Sequence, residues 1–146
     1  MIAVDTNVLV TAHRDGLAGH DEALAWLRKL AEGPVPWGIP VFCLGEFVRV
    51  TTHPRVLDPP STLEQAVEAI RGLLASPSVR VLSPAQHWPV LFREMLVAGD
   101  ARGNLAFDAQ IAAVCREHGA DRLLSGDRDF DRFPRIEIVS PGAAPD

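Results

Sequence analysis

Four carboxylates occupy positions where a charge is hard to accommodate. In the opening stretch MIAVDTNVLV, Asp5 lies between two apolar runs. A charged side chain seldom enters a fold unless it is paired, protonated or bound to a metal. Glu46 shares a helical face with Phe42, Cys43 and Val50, and Asp108 shares one with Ile111, Ala112 and Cys115. Asp127 follows the apolar segment that ends at Ser125. Each acid has an ordinary structural explanation when taken alone. Asp5 can bond backbone amides in a strand-to-helix turn, and Asp108 can complement a helix dipole. Glu46 can pair with Arg49, and Asp127 can form a turn before Arg128. Four such coincidences are less economical than one shared cause. Acids brought together repel, and a hard divalent cation supplies the missing counter-charge. With neither paired cysteines nor clustered histidines nearby, Mg²⁺ or Mn²⁺ is favoured over zinc. Such a site suits phosphodiester hydrolysis, in which the ion acidifies water and offsets charge at phosphorus.

The segments around these acids alternate between strand and helix patterns. Residues 2–4 read as a short strand buried on both faces, and the run after Asn7 begins the next packed segment. HDEALAWLRKLAE, residues 20–32, carries an amphipathic helical stripe that Gly33 and Pro34 stop. Residues 35–39 are a weaker strand because Pro36 lacks an N–H. A helix is expected from Pro40 to about Thr52, and another from an N-cap at Ser61 to about Ala75. Then follow a strand at 79–82, a helix at 84–97 and a helix from Asn104 to His118 ended by Gly119. Strands at 122–125 and 136–139 complete the chain. This order predicts an α/β fold: a three-layer α/β/α sandwich around a mostly parallel sheet of about five strands. Residues 1–140 form one domain, and 141–146 a flexible tail. In such sheets ligands bind beyond the carboxyl ends of strands, which is where Asp5 and Asp127 fall.

Composition narrows the setting. With 146 residues, 47% hydrophobic and 23% charged, the chain suits one globular domain with its own core. No apolar run is long enough to span a membrane and no leader pattern precedes the first strand, so a cytoplasmic location is expected. Cys43 and Cys115 lie in apolar helical patterns and read as small core residues. The net charge of −5 argues against a surface that binds polyanions indiscriminately. The basic residues are thirteen arginines and Lys29, so a local rim of bidentate phosphate contacts stays open. Arg14, Arg49, Arg128 and Arg132 are the candidates, read as lying within a few residues of a proposed acid. An ordinary ion pair to the same acids is the alternative.

VDTNVLV, GEFVRVTTHPRV, GNLAFDAQIAAVCREHG and LLSGDRDF occur in this order along the chain. In these blocks the sequence resembles the PIN-domain ribonucleases, and within them the VapC toxins of toxin–antitoxin pairs. The resemblance implies a PIN-like fold and a Mg²⁺- or Mn²⁺-dependent endoribonuclease that cuts RNA. It also implies a cognate VapB-type antitoxin and a homodimer. It assigns Asp5, Glu46, Asp108 and Asp127 as catalytic, metal-holding acids, with Asp129 able to share or replace the role of Asp127. Asn7 and Ser125 match polar residues that hold those carboxylates in place. Arg102 and Asn104 either touch RNA or simply begin their helix. Two other readings compete. A haloacid-dehalogenase-type phosphatase also opens on a strand ending in Asp, but it wants a second Asp where this chain has Asn7. A catalytically silent RNA- or protein-binding PIN module would be expected to have lost some of these acids.

Overall fold

The computed structural model describes residues 1–145. Five short strands, β1 (Ile2–Val4), β2 (Trp37–Pro40), β3 (Val79–Leu82), β4 (Arg122–Leu124) and β5 (Glu137–Val139), form one sheet in the order β3-β2-β1-β4-β5. Every pairing is parallel. The helices are α1 (Thr6–His13), α2 (His20–Glu32), α3 (Val41–Thr51), α4 (Leu63–Leu74), α5 (Trp88–Ala98) and α6 (Leu105–Glu117). A 3-10 turn follows at Arg128–Arg132. The chain winds outward from β1 to β3 and then crosses back to β4. With right-handed crossovers, α1–α4 cover one face and α5–α6 the other. The packing agrees: α1 touches α2 and α3, α3 touches α4, and α5 lies along α6. This is the expected three-layer sandwich.

The central strands are apolar on both faces because helices cover both. Ala3, Val4, Trp37, Ile39, Leu123 and Leu124 have no exposed surface. Gly38 is required by close approach, since a Cβ there would meet the Leu82 side chain at 2.7 Å. Winding reverses between β1 and β4, and the crevice beyond their carboxyl ends is the place such sheets offer a ligand. Asp5 follows β1 and Ser125 follows β4 on that edge. Backbone bonds from Asp5 N to Leu124 O (3.0 Å) and from Ser125 N to Val139 O (3.1 Å) fix the register there.

Several boundaries shift from the sequence expectation, each for a nonlocal or backbone reason. β2 starts at Trp37, not Val35, because Pro36 has no N–H and the ladder begins at Trp37 N to Ser78 O (3.2 Å). Thr62, not Ser61, caps α4 in a reciprocal capping box with Gln65. Ser61 is engaged elsewhere, bonded to His13 Nε2 (2.9 Å) and Arg14 Nη2 (3.1 Å). α5 starts at Trp88 rather than Pro84, since Glu117 captures the amides of Ala85 and His87, both at 2.8 Å. Gly119 ends α6 as expected, at φ 68°, with Ala120 N bonded to Cys115 O and Gly119 N to Arg116 O. The tail expected at 141–146 receives an anchor, Trp26 Nε1 donating to Ala143 O at 2.8 Å, while residue 146 lies outside the described residues.

Candidate metal centre

The site begins with the shortest possible connection. β1 ends at Val4, α1 begins at Thr6, and Asp5 alone joins them as the helix N-cap. Asp5 Oδ1 accepts from Thr6 N at 2.8 Å, and Oδ2 accepts from Asn7 Nδ2 at 2.6 Å and from Ser125 Oγ at 2.7 Å. Capping and site membership are therefore one arrangement, not alternatives. Asp5 is only 5% exposed, and burial outweighs its donors, raising its carboxyl to about 6. Asn7 is locked in turn, donating to Ser125 Oγ at 3.0 Å and accepting from Gly126 N at 3.0 Å. With Asn7 donating to Asp5, both Asp5 oxygens are engaged, which disfavours the phosphatase reading with Asp5 as free nucleophile.

Asp108 comes from the first turn of α6, half-buried on the cleft floor. Burial, then the charges of Asp127, Asp5, Asp129 and Glu46, raise its carboxyl to about 7. Asp127 caps the 3-10 turn by accepting from Asp129 N at 2.8 Å, and its own amide donates to Ser125 Oγ at 3.0 Å. Buried Phe130 pins that turn from below, and Arg132 Nη1 ties it to Gly99 O at 2.8 Å. One oxygen each from Asp108, Asp127 and Asp129 lies within 4.8 Å of the others. On an octahedral Mg²⁺ neighbouring oxygens are about 3 Å apart and opposite ones about 4.2 Å, so the trio would close by up to about 2 Å to share one ion. Asp127 and Asp129 both belong to this trio.

Glu46 completes the constellation from α3 and is half-buried. Its Oε2 accepts from Thr6 Oγ1 at 3.2 Å, and Oε1 lies 3.7 Å from Arg49 Nη2. Asp5, Glu46, Asp108 and Asp127 line one cavity of about 290 Å³. It lies beside a cleft of about 790 Å³ walled by Glu46, Arg49, Asn104, Asp108, Asp127 and Asp129. All four sequence-predicted acids, with Asp129, are thus brought together. An apolar cavity of about 250 Å³ between α1, α2 and α4 contains none of them.

The arginines divide. Arg49 lines the acidic cleft. Arg14 does not reach it: at the far end of α1 it donates to Pro59 O at 2.6 Å and to Ser61, beside Glu64 and Glu68. Arg102 pairs with Asp100 (2.9 Å) and Arg128 with Asp131 (3.6 Å), while Arg132 serves its own turn and Gly99. Asn104 holds the N-cap position of α6 without a side-chain cap bond. Two contributors escaped the sequence reading. Thr6 positions Glu46, and its signal was a hydroxyl wedged between Asp5 and Asn7. Cys43 is core as expected, yet its Sγ also lies 3.9 Å from Asp5 Oδ1.

A parallel α/β sheet with an acid-lined crevice at its switch point defines the class, and sequence comparison places the chain within it. The PIN domain family model matches residues 2–136. VapC ribonuclease Mb2897 of Mycobacterium bovis is 41% identical over 97% of this chain and 95% of its own length. Ribonuclease VapC25 of Mycobacterium tuberculosis is 32% identical over 97% and 99%. Among solved structures, the sarcin-ricin loop cleaving toxin VapC20 of M. tuberculosis superposes with a TM-score of 0.67 at 27% identity, covering 94% of this chain and 99% of that one. VapBC2 from Rickettsia felis, bound to a promoter DNA fragment, shares the fold with a TM-score of 0.70 at 19% identity, covering 96% and 98%. The chain belongs to the PIN-domain family, among the VapC ribonucleases.

Proposed function

We infer that this chain is the toxin of a VapBC-type pair, a Mg²⁺-dependent endoribonuclease with Mn²⁺ as a plausible substitute. The observation that carries the reading is the convergence of five acids from four separated segments on one crevice, three of them with oxygens within 4.8 Å. Asp108, Asp127 and Asp129 would hold the ion, with Asp5 and Glu46 beside it. When bound, the divalent cation supplies charge neutralisation at the phosphodiester and acidifies adjacent water. The protein's part is preorganisation. Ser125 takes the Asp127 amide and donates to Asp5, so one hydroxyl orients acids from two strand ends. Thr6 and Arg49 hold Glu46 at the opening. Arg49 on the cleft wall is placed to meet a phosphate, at the cost of its loose pairing with Glu46.

The names of the relatives support the RNA substrate, and the neighbouring VapBC complexes support a VapB-type antitoxin as partner. A homodimer fits the apolar surface that Val90 and Val97, one face of α5, leave exposed. Among the described residues no helix is long and apolar enough to cross a membrane, in keeping with action in the cytoplasm. The test is RNA cleavage by the purified chain in Mg²⁺ and in chelator, beside Asp108→Asn. Cleavage that needs the ion and disappears in the variant, with the fold intact, is expected. Full activity of Asp108→Asn would refute the reading. Growth arrest on expression, relieved by the product of an adjacent small gene, would test the toxin assignment separately.

A further inference from the structure

Among the described residues Phe107 is the one aromatic side chain among the large hydrophobic residues left exposed, at 61%. The core does not need it, because α6 already buries Ala109, Ile111, Ala112 and Ala113. Its position is specific: it precedes Asp108 and lines the same cleft. Asn104 at the cap of α6, and Phe107, Asp108 and Ile111 within it, follow the spacing of one helical stripe, and all four line that cleft. Asn104 is exposed at the cap position, yet its side chain makes no cap bond. The turn before it is carried instead by Gly103 at φ 57°. An idle amide and an idle ring therefore flank a metal-holding acid, with the Arg49 guanidinium lining the same cleft.

We propose that Phe107 is a stacking platform for an unpaired base flanking the scissile phosphodiester, with Asn104 bonding that base's edge. The inference rests on the nuclease reading and deepens it with one subsite, a ring beside Asp108 that takes a base free of pairing. A phosphate held over Asp108 has a neighbouring nucleoside within reach of the preceding residue on the helix. Every base has a π-face, so a phenyl ring there binds without strict sequence choice. Bases inside an A-form duplex are already stacked, and their deep major groove offers no face to a side chain. The amide of Asn104, with two donors and one acceptor group, adds preference among bases.

The test uses the full chain, Phe107→Ala and Phe107→Trp, with a short unstructured oligoribonucleotide. A second substrate carries one abasic nucleotide beside the cleaved bond, and a third is the same strand annealed to its complement. Phe107→Ala is expected to raise KM about tenfold with little change in kcat, and Phe107→Trp to restore it. The abasic RNA should lose about the same factor with the unaltered chain and be insensitive to Phe107→Ala. Duplex should be cut poorly. Equal KM for the unaltered chain and Phe107→Ala on intact RNA would overturn the proposal, as would an undiminished effect on abasic RNA. So would a change of oligomeric state in Phe107→Ala with KM unaltered, which would assign the ring to a protein partner. Anisotropy with labelled RNA separates the two readings. Phe107-dependent binding without cleavage refutes the nuclease and leaves the platform. Cleavage indifferent to Phe107 refutes the platform alone, and absence of both binding and cleavage refutes both.

Discussion

Asp5 and the Asp108–Asp127–Asp129 trio sit in one crevice but are held in opposite ways. Asp5 is buried and receives donors from Thr6, Asn7 and Ser125, each at 2.8 Å or closer. The trio is more open and poorly served. Among the described residues the Asp108 carboxylate accepts no hydrogen bond, that of Asp127 accepts one from the Asp129 amide, and that of Asp129 has only a 3.9 Å pairing with Arg132. The protein thus supplies donors generously to the first acid and sparsely to the others. In the function proposed above, Asp5 would be the keystone that fixes the β1 and β4 ends, and the trio the part that meets the ion and the substrate.

This contrast can be broken in several ways, and the largest effect should come from the trio. Asp108→Asn is expected to lower RNA cleavage on the order of 10³-fold while leaving the circular dichroism spectrum unchanged. Ser125→Ala should cost about 10- to 100-fold in activity and in Mg²⁺ affinity, measured by metal titration, because it loosens acids on both strand ends. A merely structural Ser125 would lower stability and leave the metal affinity alone.

Protonation supplies the next comparison. A carboxyl whose folded value is raised stabilises the fold below its unfolded value and loses that contribution as pH climbs through the folded one. For Asp5 the interval runs from 3.8 to about 6, and for Asp108 from 3.8 to about 7. The metal-free protein should therefore lose stability between about pH 4 and pH 7, by about 3 kcal/mol from Asp5 alone. Mg²⁺ should recover most of that loss at pH 8 by supplying the counter-charge. Asp108→Asn should melt higher than the unaltered chain in chelator at pH 8, and the advantage should vanish in Mg²⁺. A metal-free protein whose melting temperature rises from pH 5 to pH 8 would contradict the account. The smallest effect is expected at the rim: Thr6→Val frees Glu46 and should reduce cleavage only a few-fold, through one lost hydrogen bond of about 1 kcal/mol.

Much of this arrangement was legible in the residues themselves. A continuous apolar run marked β1 because buried parallel strands need no alternation. Asp5 and Asp127 could be placed at the site because each follows a predicted strand, and Asp108 because it interrupts an apolar helical face. What stayed illegible depended on distant contacts. Ser61 looks like a helix cap until His13, remote in sequence, takes its hydroxyl. Pro84 looks like a helix start until Glu117 seizes the amides that follow it. Arg14 is near Asp5 in sequence, but a helix of eight residues carries it to the other end of α1. Nearness along the chain misled there, while periodicity and strand ends did not.

The central claim, that the trio is built to hold a divalent cation, is tested most directly by anomalous diffraction from crystals grown in saturating Mn²⁺. The account predicts a single strong peak at about 2.1 Å from oxygens of Asp108, Asp127 and Asp129, displaced from the fully bonded Oδ2 of Asp5. Crystals at neutral pH or above with ordered carboxylates in these positions and no anomalous peak among them would contradict it.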